Sequence, residues 1–512
     1  MELFKGQNIL EKYSTHMRPV FLFMLLSIVG ILTILAFILV TESLSPVLVM
    51  LLISGLIALF TFFVAGARNK ERILMAAFLL ALPISMGKMV ASNLESTKTT
   101  VSFLLQIYLS DILLFMFIIV WSINFLSNRY HSGVKFWQNQ NKFIIPLLLW
   151  ICMGFISLVP AIDRTAAAVG VVQMLRIFVT FFAVFHFIKG RKEIYFILNC
   201  LLIACFIQSL LMFAQYATDS MVVSFPGDTM SEEYISESLR PAGTIGNSSN
   251  FAKFSGLMLP IALAYIFFAP RVRNKLFFLS IWICGSVALI LTLSRAGLAA
   301  WIFSIGLFFA GIIIFRIVTM RKLAPFFLAI VFLICISSGI LWWVGGESLK
   351  SRIAFDEGSS AARMPMWKVA VNVIKAHPIA GVGLKNYTLV HQNYDNTRYH
   401  ISAVLPDSCV HNLFLLYAAE IGIPGLFFFL WFVWELLRGA LRCARSISLP
   451  MDKVIYLSMA IGVINILLQS ITGMGVVNHL IHLSTIAIFA AIVAKQGLTL
   501  SNSQGKAKIY SI

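Results

Sequence analysis

Apolar residues run along this chain in stretches of about twenty, each separated from the next by a polar segment. Fourteen such runs stand out, at about 20–40, 46–66, 73–91, 101–126, 143–159, 166–188, 194–217, 251–270, 276–293, 296–315, 323–344, 413–437, 454–474 and 479–494. A helix of about twenty residues crosses about 30 Å of hydrocarbon. Inside that medium every backbone N–H and C=O must be bonded within the protein, which a helix does by itself. The pattern therefore predicts an all-α, polytopic transmembrane helical bundle of about 12–14 spans, the range being set by the runs at 73–91 and 479–494, which it supports least. Two longer polar segments, about 218–250 and 345–412, interrupt the succession. They divide the chain into N-terminal helices with a first outer loop (1–239), a middle region that includes the loop 345–412 (240–437), and C-terminal helices with a tail (438–512).

Charge orients the helices. Polar segments of one parity hold 25 of the 39 lysines and arginines, about three in each, while the alternate short segments hold none or one. Cations accumulate on the cytoplasmic side of membrane proteins, so both termini are expected there and both long loops outside. The formal net charge of +18 is in this light a record of topology. Nucleic acid is excluded as a partner, because no basic stripe interleaved with aromatics lies in a soluble region. With 60% hydrophobic and 12% charged residues, membrane lipid is the expected surrounding. The run Val20–Val40 follows a polar start without a small-residue cleavage site and is expected to stay as an anchor. Of seven cysteines only Cys409 falls on the outer side, so neither an outer disulfide nor a thiolate metal site is expected.

Sorted by depth, several polar residues distant in sequence share the outer interface. Arg240 closes the acidic loop at 218–239, Lys253 opens the span that follows, Arg295 sits in the tight turn Leu293-Ser294-Arg295-Ala296-Gly297, and His411 ends the large loop. An isolated interfacial arginine is ordinarily an anchor whose charge reaches for water, and a histidine at a helix start is ordinarily a cap. Together, however, these groups suit a lipid diphosphate. The arginine fork grips phosphate oxygens in pairs, and an imidazole titrating near neutrality can take a proton from a hydroxyl. Within the loop, Ser360–Ala376 reads as an amphipathic helix. Lys368, Asn372 and Lys375 lie on one face; Trp367, Ala370, Val371 and Ile374 lie on another. Pro365 suits its first turn and Pro378 forces its end. Trp367 is read as packing, Arg363 as a further diphosphate or sugar contact, and Gly381-Val382-Gly383 as a backbone turn, since no P-loop Lys-Ser/Thr follows. Two charges, Asp111 and Arg176, fall about ten residues into their spans and are expected to pair. Glu420, on the helix that begins after His411, is read as structural.

Four blocks resemble the O-antigen ligase/polymerase superfamily of integral membrane glycan transferases. They are Arg240-Pro241-Ala242-Gly243-Thr244 running on to Asn250 and Pro260; Leu291-Thr292-Leu293-Ser294-Arg295-Ala296-Gly297; Arg363-Met364-Pro365-Met366-Trp367 with His377-Pro378-Ile379-Ala380-Gly381-Val382-Gly383; and His411-Asn412-Leu413-Phe414-Leu415 through Glu420-Ile421-Gly422 to Gly425. The resemblance covers about 240–435. It implies a glycosyltransferase using a glycan on undecaprenyl diphosphate, with no metal and no other cofactor, acting at the outer face of the cytoplasmic membrane. By position Arg240 and Arg295 would bind the diphosphate and His411 would be the base or orienter for the acceptor; Arg363 and Lys253 are added as substrate-binding candidates from their own place at the outer side. The acceptor, glycan or lipid, stays open. Polymerisation of repeat units, ligation of a finished glycan to lipid or protein, and export of the lipid-linked glycan are the three readings carried forward.

Overall fold

The computed structural model describes residues 69–85, 87–89, 106–127, 141–218, 241–317, 357–398, 410–473 and 479–509. The expected spans at 20–40, 46–66 and 323–344, the acidic stretch 219–239, Arg240 and Cys409 lie outside the described residues. Contacts divide the chain into two units, 1–77 with 112–131, and 78–111 with 132–512. In the first, Asn124 donates to Glu71 Oε1 (2.7 Å). The second carries all the candidate residues and is described below.

Its helices follow the apolar runs. In chain order they are α1 (Lys70–Ala81, begun in the first unit), α2 (Leu109–Ser127, ending there), α3 (Asn141–Ile156), α4 (Arg164–Phe187), α5 (Arg191–Thr218), α6 (Ser248–Phe268), α7 (Val272–Leu291), α8 (Arg295–Ile314), α9 (Glu357–Ala376), α10 (Tyr387–Val390), α11 (Leu413–Ser446), α12 (Pro450–Thr472) and α13 (His479–Ile509). Among the described residues eight of them, α4 to α8 and α11 to α13, are long and apolar enough to cross a membrane. The protein is a multi-pass helical bundle.

The run at 73–91 does not form a span. Its helix ends at Ala81 after 12 residues, about 18 Å, and the chain turns through Pro83 into a strand, β1 (Gly87–Met89), which pairs antiparallel with β2 (Gln106–Tyr108). For the same reason the helix expected from 101 begins only at Leu109. The opposite holds at 479, where the helix extends to Ile509 and packs on α4 and α11.

α6 and α12 form the centre, both buried along most of their length. Their backbones come close because Gly462 faces the Leu257 backbone and Gly256 faces the Asn465 side chain, and a Cβ at either place would collide. A polar ladder ties them to α8: Asn465 Nδ2 donates to Ser304 Oγ (2.7 Å), and Gln469 Nε2 donates to Asn465 Oδ1 (2.6 Å) and to the Ala252 carbonyl (3.2 Å). In hydrocarbon such amides are tolerated because each finds a partner.

Contacts sort the ends of the helices as the charge pattern does. At the cation-rich end Arg191 pairs with Asp452 (2.9 Å), Asp452 also accepts from the Tyr195 hydroxyl, and Lys495 lies 4.6 Å from the Phe185 ring centre. The segments of the other parity meet one another: Asp163 with Asn386, Lys253 with Gly473, Trp367 with Val410, and Ser85 with Thr244. The Asp111–Arg176 pair forms as expected at 2.6 Å, with Ser110 donated to by the guanidinium and Tyr108 N–H donating to Asp111. Asp111 achieves this from the first turn of its helix, which meets α4 halfway along.

Candidate functional site

Four helices on the expected outer side begin with a side-chain cap. Asp163 accepts from Ala166 N–H (2.9 Å), Asn247 from Ser249 (2.8 Å), Ser294 from Gly297 (3.2 Å), and Asn412 from Phe414 and Leu415 (3.0 and 3.1 Å). The positive ends of α4, α6, α8 and α11 thus all point to this side, which favours anions there.

His411 precedes the Asn412 cap in a left-handed backbone conformation (φ 50°), which sharply turns the incoming chain into α11. The peptide before it is held by α9, whose Trp367 Nε1 donates to the Val410 carbonyl at 3.1 Å. The imidazole is half-buried, and its pKa lies below the ordinary 6.5, chiefly through burial and then through the positive charges of Arg363 and Lys253. Arg363 of α9 and Lys253 of α6 thus each lie within electrostatic reach of His411, although the three come from separate elements. Burial and those charges favour the uncharged imidazole, the form that can accept a proton.

Lys253 is 3% exposed, and its ammonium donates to the Gly473 carbonyl at the end of α12 (3.0 Å). The same turn of α6 is held from α13, where His482 Nε2 donates to the Asn250 carbonyl (2.9 Å). Arg295 is exposed in the first turn of α8, and Gly297 in that turn packs on Ala252, the neighbour of Lys253. The structure thus brings His411, Arg363 and Lys253 together and sets the Arg295 turn beside Lys253.

Arg240 falls outside the described residues, but the turn that follows it is fixed by two buried glutamines of α5. Gln215 accepts from the N–H of Ala242 and Gly243 (3.2 and 2.9 Å) and donates to the Gly243 carbonyl (3.1 Å). Gln208 accepts from Thr244 N–H (2.8 Å) and donates to its hydroxyl (2.6 Å). Sequence reasoning passed over both. Their signal was two glutamines seven residues apart, on one face of an otherwise apolar helix.

α9 departs from its expected form. It begins at Glu357, so Pro365 lies inside it, and its buried face is Met366, Val369, Ala370 and Val373, packed towards α11. Val371 is exposed instead, with Lys368 and Lys375. Asn372 turns to the Tyr394 carbonyl (3.0 Å) and Asn396 (2.7 Å), and His377 bonds the Tyr394 hydroxyl (2.6 Å). After Pro378 the chain docks on a break in α11. There Gly422 (φ 75°, ψ 171°) interrupts the helix, Ile423 N–H donates to the Pro378 carbonyl (2.8 Å), Val382 N–H to Ala419 (2.9 Å), and Gly383 N–H to Glu420 (3.0 Å). Gly381 and Gly383 also have positive φ, and a Cβ on either would collide with backbone, at Glu420 and at Ala161. The glycine motif thus builds a backbone joint.

Residues 279–430 match the protein family described as O-antigen ligase. A comparison with curated proteins gives no match. The matched stretch runs from α7 into α11 and contains Arg295, Arg363, His411 and the joint at Gly422; Arg240 and Lys253 precede it. The match falls within the stretch 240–435 that carries the resemblance to the O-antigen ligase/polymerase superfamily, and supports it there.

Proposed function

We propose that this chain is a membrane glycosyltransferase that polymerises oligosaccharide repeat units carried on undecaprenyl diphosphate, at the outer face of the cytoplasmic membrane, for a surface polysaccharide. The observation that carries this reading is the placement of His411 within electrostatic reach of Arg363 and Lys253 at the end of the bundle where capped helix N-termini gather. Cations and positive helix ends suit a diphosphate, and a neutral imidazole among them suits a hydroxyl that must lose its proton.

In this mechanism Arg240, Arg295, Arg363 and Lys253 hold the diphosphate while its lipid tail lies among the helices. The acceptor hydroxyl oxygen attacks the anomeric carbon of the donor sugar. The bond from that carbon to the diphosphate oxygen breaks, and the electron pair leaves with the diphosphate. His411 takes the hydroxyl proton. Stabilisation of the departing charge is the largest contribution the protein makes. The donor carries its own leaving group, so the bond energy of the diphosphate drives transfer without a nucleotide.

Ligation of a finished glycan to a lipid or protein acceptor uses the same groups and differs only in what presents the hydroxyl. Export of the lipid-linked glycan is the reading from another class; it would place its binding groups at the bilayer midplane, whereas here the candidate residues His411, Arg363, Lys253 and Arg295 lie at one end of the helices. Deleting the gene and analysing the glycan left on the lipid carrier separates the three. Single repeat units stranded outside, cleared by wild type but not by His411→Ala, are the expected result. Full-length glycan outside would replace polymerase by ligase, and units trapped inside would overturn the enzyme reading.

A further inference from the structure

Glu420 lies two turns beyond His411 on α11, 6% exposed, in a region where a carboxylate has little reason to be unless something there needs it. Its carboxylate accepts from the backbone N–H groups of Lys385 and Tyr387, and its own carbonyl accepts from Gly383 N–H (3.0 Å). The Lys385 ammonium lies within electrostatic reach, on a residue whose backbone is itself left-handed (φ 57°). The side chain therefore gathers two residues of the segment that leaves α9, and the main-chain carbonyl holds a third. The far side of that segment is fixed too: Asn386 exchanges hydrogen bonds with the backbone of Asp163 (2.7 and 3.0 Å), which caps α4.

The consequence reaches the reacting groups through α9. Besides the packing of Met366, Val369, Ala370 and Val373, hydrogen bonds tie this helix to α11 at two places, by Trp367 to the peptide before His411 and, past Pro378, by the segment seated on Glu420. Arg363 stands on α9 one turn before Trp367. With the second attachment loosened, α9 can pivot on Trp367, and Arg363 moves relative to His411.

We propose that Glu420 is a positioning residue of the transferase site: by seating residues 385–387 on α11, with Lys385 as its countercharge, its carboxylate fixes the place of Arg363 near His411. This rests on the reading of His411 and Arg363 given above. Two sets of groups are in electrostatic reach of one another: Glu420 and Tyr417 of α11 with Lys385 of the docked segment, and His411 with Arg363 of α9 and Lys253 of α6, the last also within reach of His482 of α13.

The test uses the full-length protein in lipid nanodiscs and, as donor, the lipid-linked glycan that accumulates in cells lacking it. Variants are Glu420→Ala, Glu420→Gln, Lys385→Met and Glu420→Gln with Lys385→Met. Glu420→Ala should lower kcat/KM by on the order of a hundredfold, mainly through KM for the donor. It should also raise the pH of the acid limb, as Arg363→Gln does, since a cation has left His411. Amide hydrogen exchange across 378–390 should quicken in Glu420→Ala and stay slow in Glu420→Gln, whose amide oxygen still accepts both N–H groups. Removing the Lys385 charge should recover activity lost in Glu420→Gln, a coupling that two independent structural defects would not show. Unchanged exchange, an acid limb that stays in place, or additive losses would each overturn the proposal. If His411→Ala and Arg363→Gln retain wild-type transfer, the site assignment itself falls, and that result is separate because the exchange measurement needs no activity.

Discussion

Replacing Gly422 by alanine puts the joint in α11 under the most direct strain the structure offers. The residue sits at φ 75° and ψ 171°, a region open essentially to glycine, and forcing a side chain there costs about 1–3 kcal/mol. The new Cβ would also fall on the Ile379 carbonyl, well inside the 3.0 Å that real Cβ atoms keep, with Pro378 O at 3.0 Å. Backbone cannot yield as a side-chain tip does, so the turn 378–383 must move away. Three hydrogen bonds hold it, Ile423 to Pro378 (2.8 Å), Val382 to Ala419 (2.9 Å) and Gly383 to Glu420 (3.0 Å), each worth about 1 kcal/mol net. Strain and lost bonds together come to about 4–6 kcal/mol, against about 5–15 kcal/mol for the stability of a whole domain. We expect the outer loop to detach while the bundle persists. Surface polysaccharide in a complemented deletion strain should disappear, and the purified protein should gain a protease-sensitive site in 378–390. Gly306→Ala is the control, because a Cβ there meets nothing within 4 Å. Wild-type polysaccharide and an unchanged proteolysis pattern in Gly422→Ala would refute this account of the joint.

Other consequences concern charge and buried polarity. Burial and the charges of Arg363 and Lys253 lower the His411 pKa, so the acid limb of kcat/KM should lie below pH 6.5, and Lys253→Met should move it upward, since a removed cation lets the imidazole protonate more readily; a limb that moves downward contradicts the geometry. Asp111→Ala leaves the Arg176 guanidinium in place without its carboxylate and should cost about 3–5 kcal/mol, read as a lower melting temperature in detergent, whereas a loss below 1 kcal/mol would mean the pair is not effectively buried. Asn465→Leu removes the centre of the ladder between Ser304 and Gln469 and should destabilise by about 1–3 kcal/mol through the polar groups left behind, checked by the same melt. Tyr195→Phe, at the opposite end from His411, should lower stability slightly and leave transfer rate unchanged; a lost rate would tie that end to the chemistry.

The parts of the fold that could be read from the chain are those governed by the solvent. Runs of apolar residues became helices because hydrocarbon leaves the backbone no other partner, and the parity of lysines and arginines foretold which helix ends meet. The reading failed where a neighbour decided the outcome. The run at 73–91 is apolar enough, yet it turns into a strand that needs residues 106–108 to exist. α9 buries Met366, Val369, Ala370 and Val373 in place of the face expected from polarity, because α11 lies on that side and Asn372 is wanted by Tyr394.

For the candidate site the division is similar. Depth along the membrane placed Arg295, Lys253 and His411 at one level, since each residue's position in its own run fixes its height. Lateral distance has no such local cue. That Arg363 and Lys253 face His411, that Gln208 and Gln215 hold the turn after Arg240, and that Glu420 seats the segment after α9 all arise from contacts between residues far apart in sequence. The sequence by itself determined a multi-pass helical protein and the level at which Arg295, Lys253 and His411 lie. The tertiary structure alone decided which of those groups meet, because height is set by each helix with its solvent and neighbourhood only by how the helices pack.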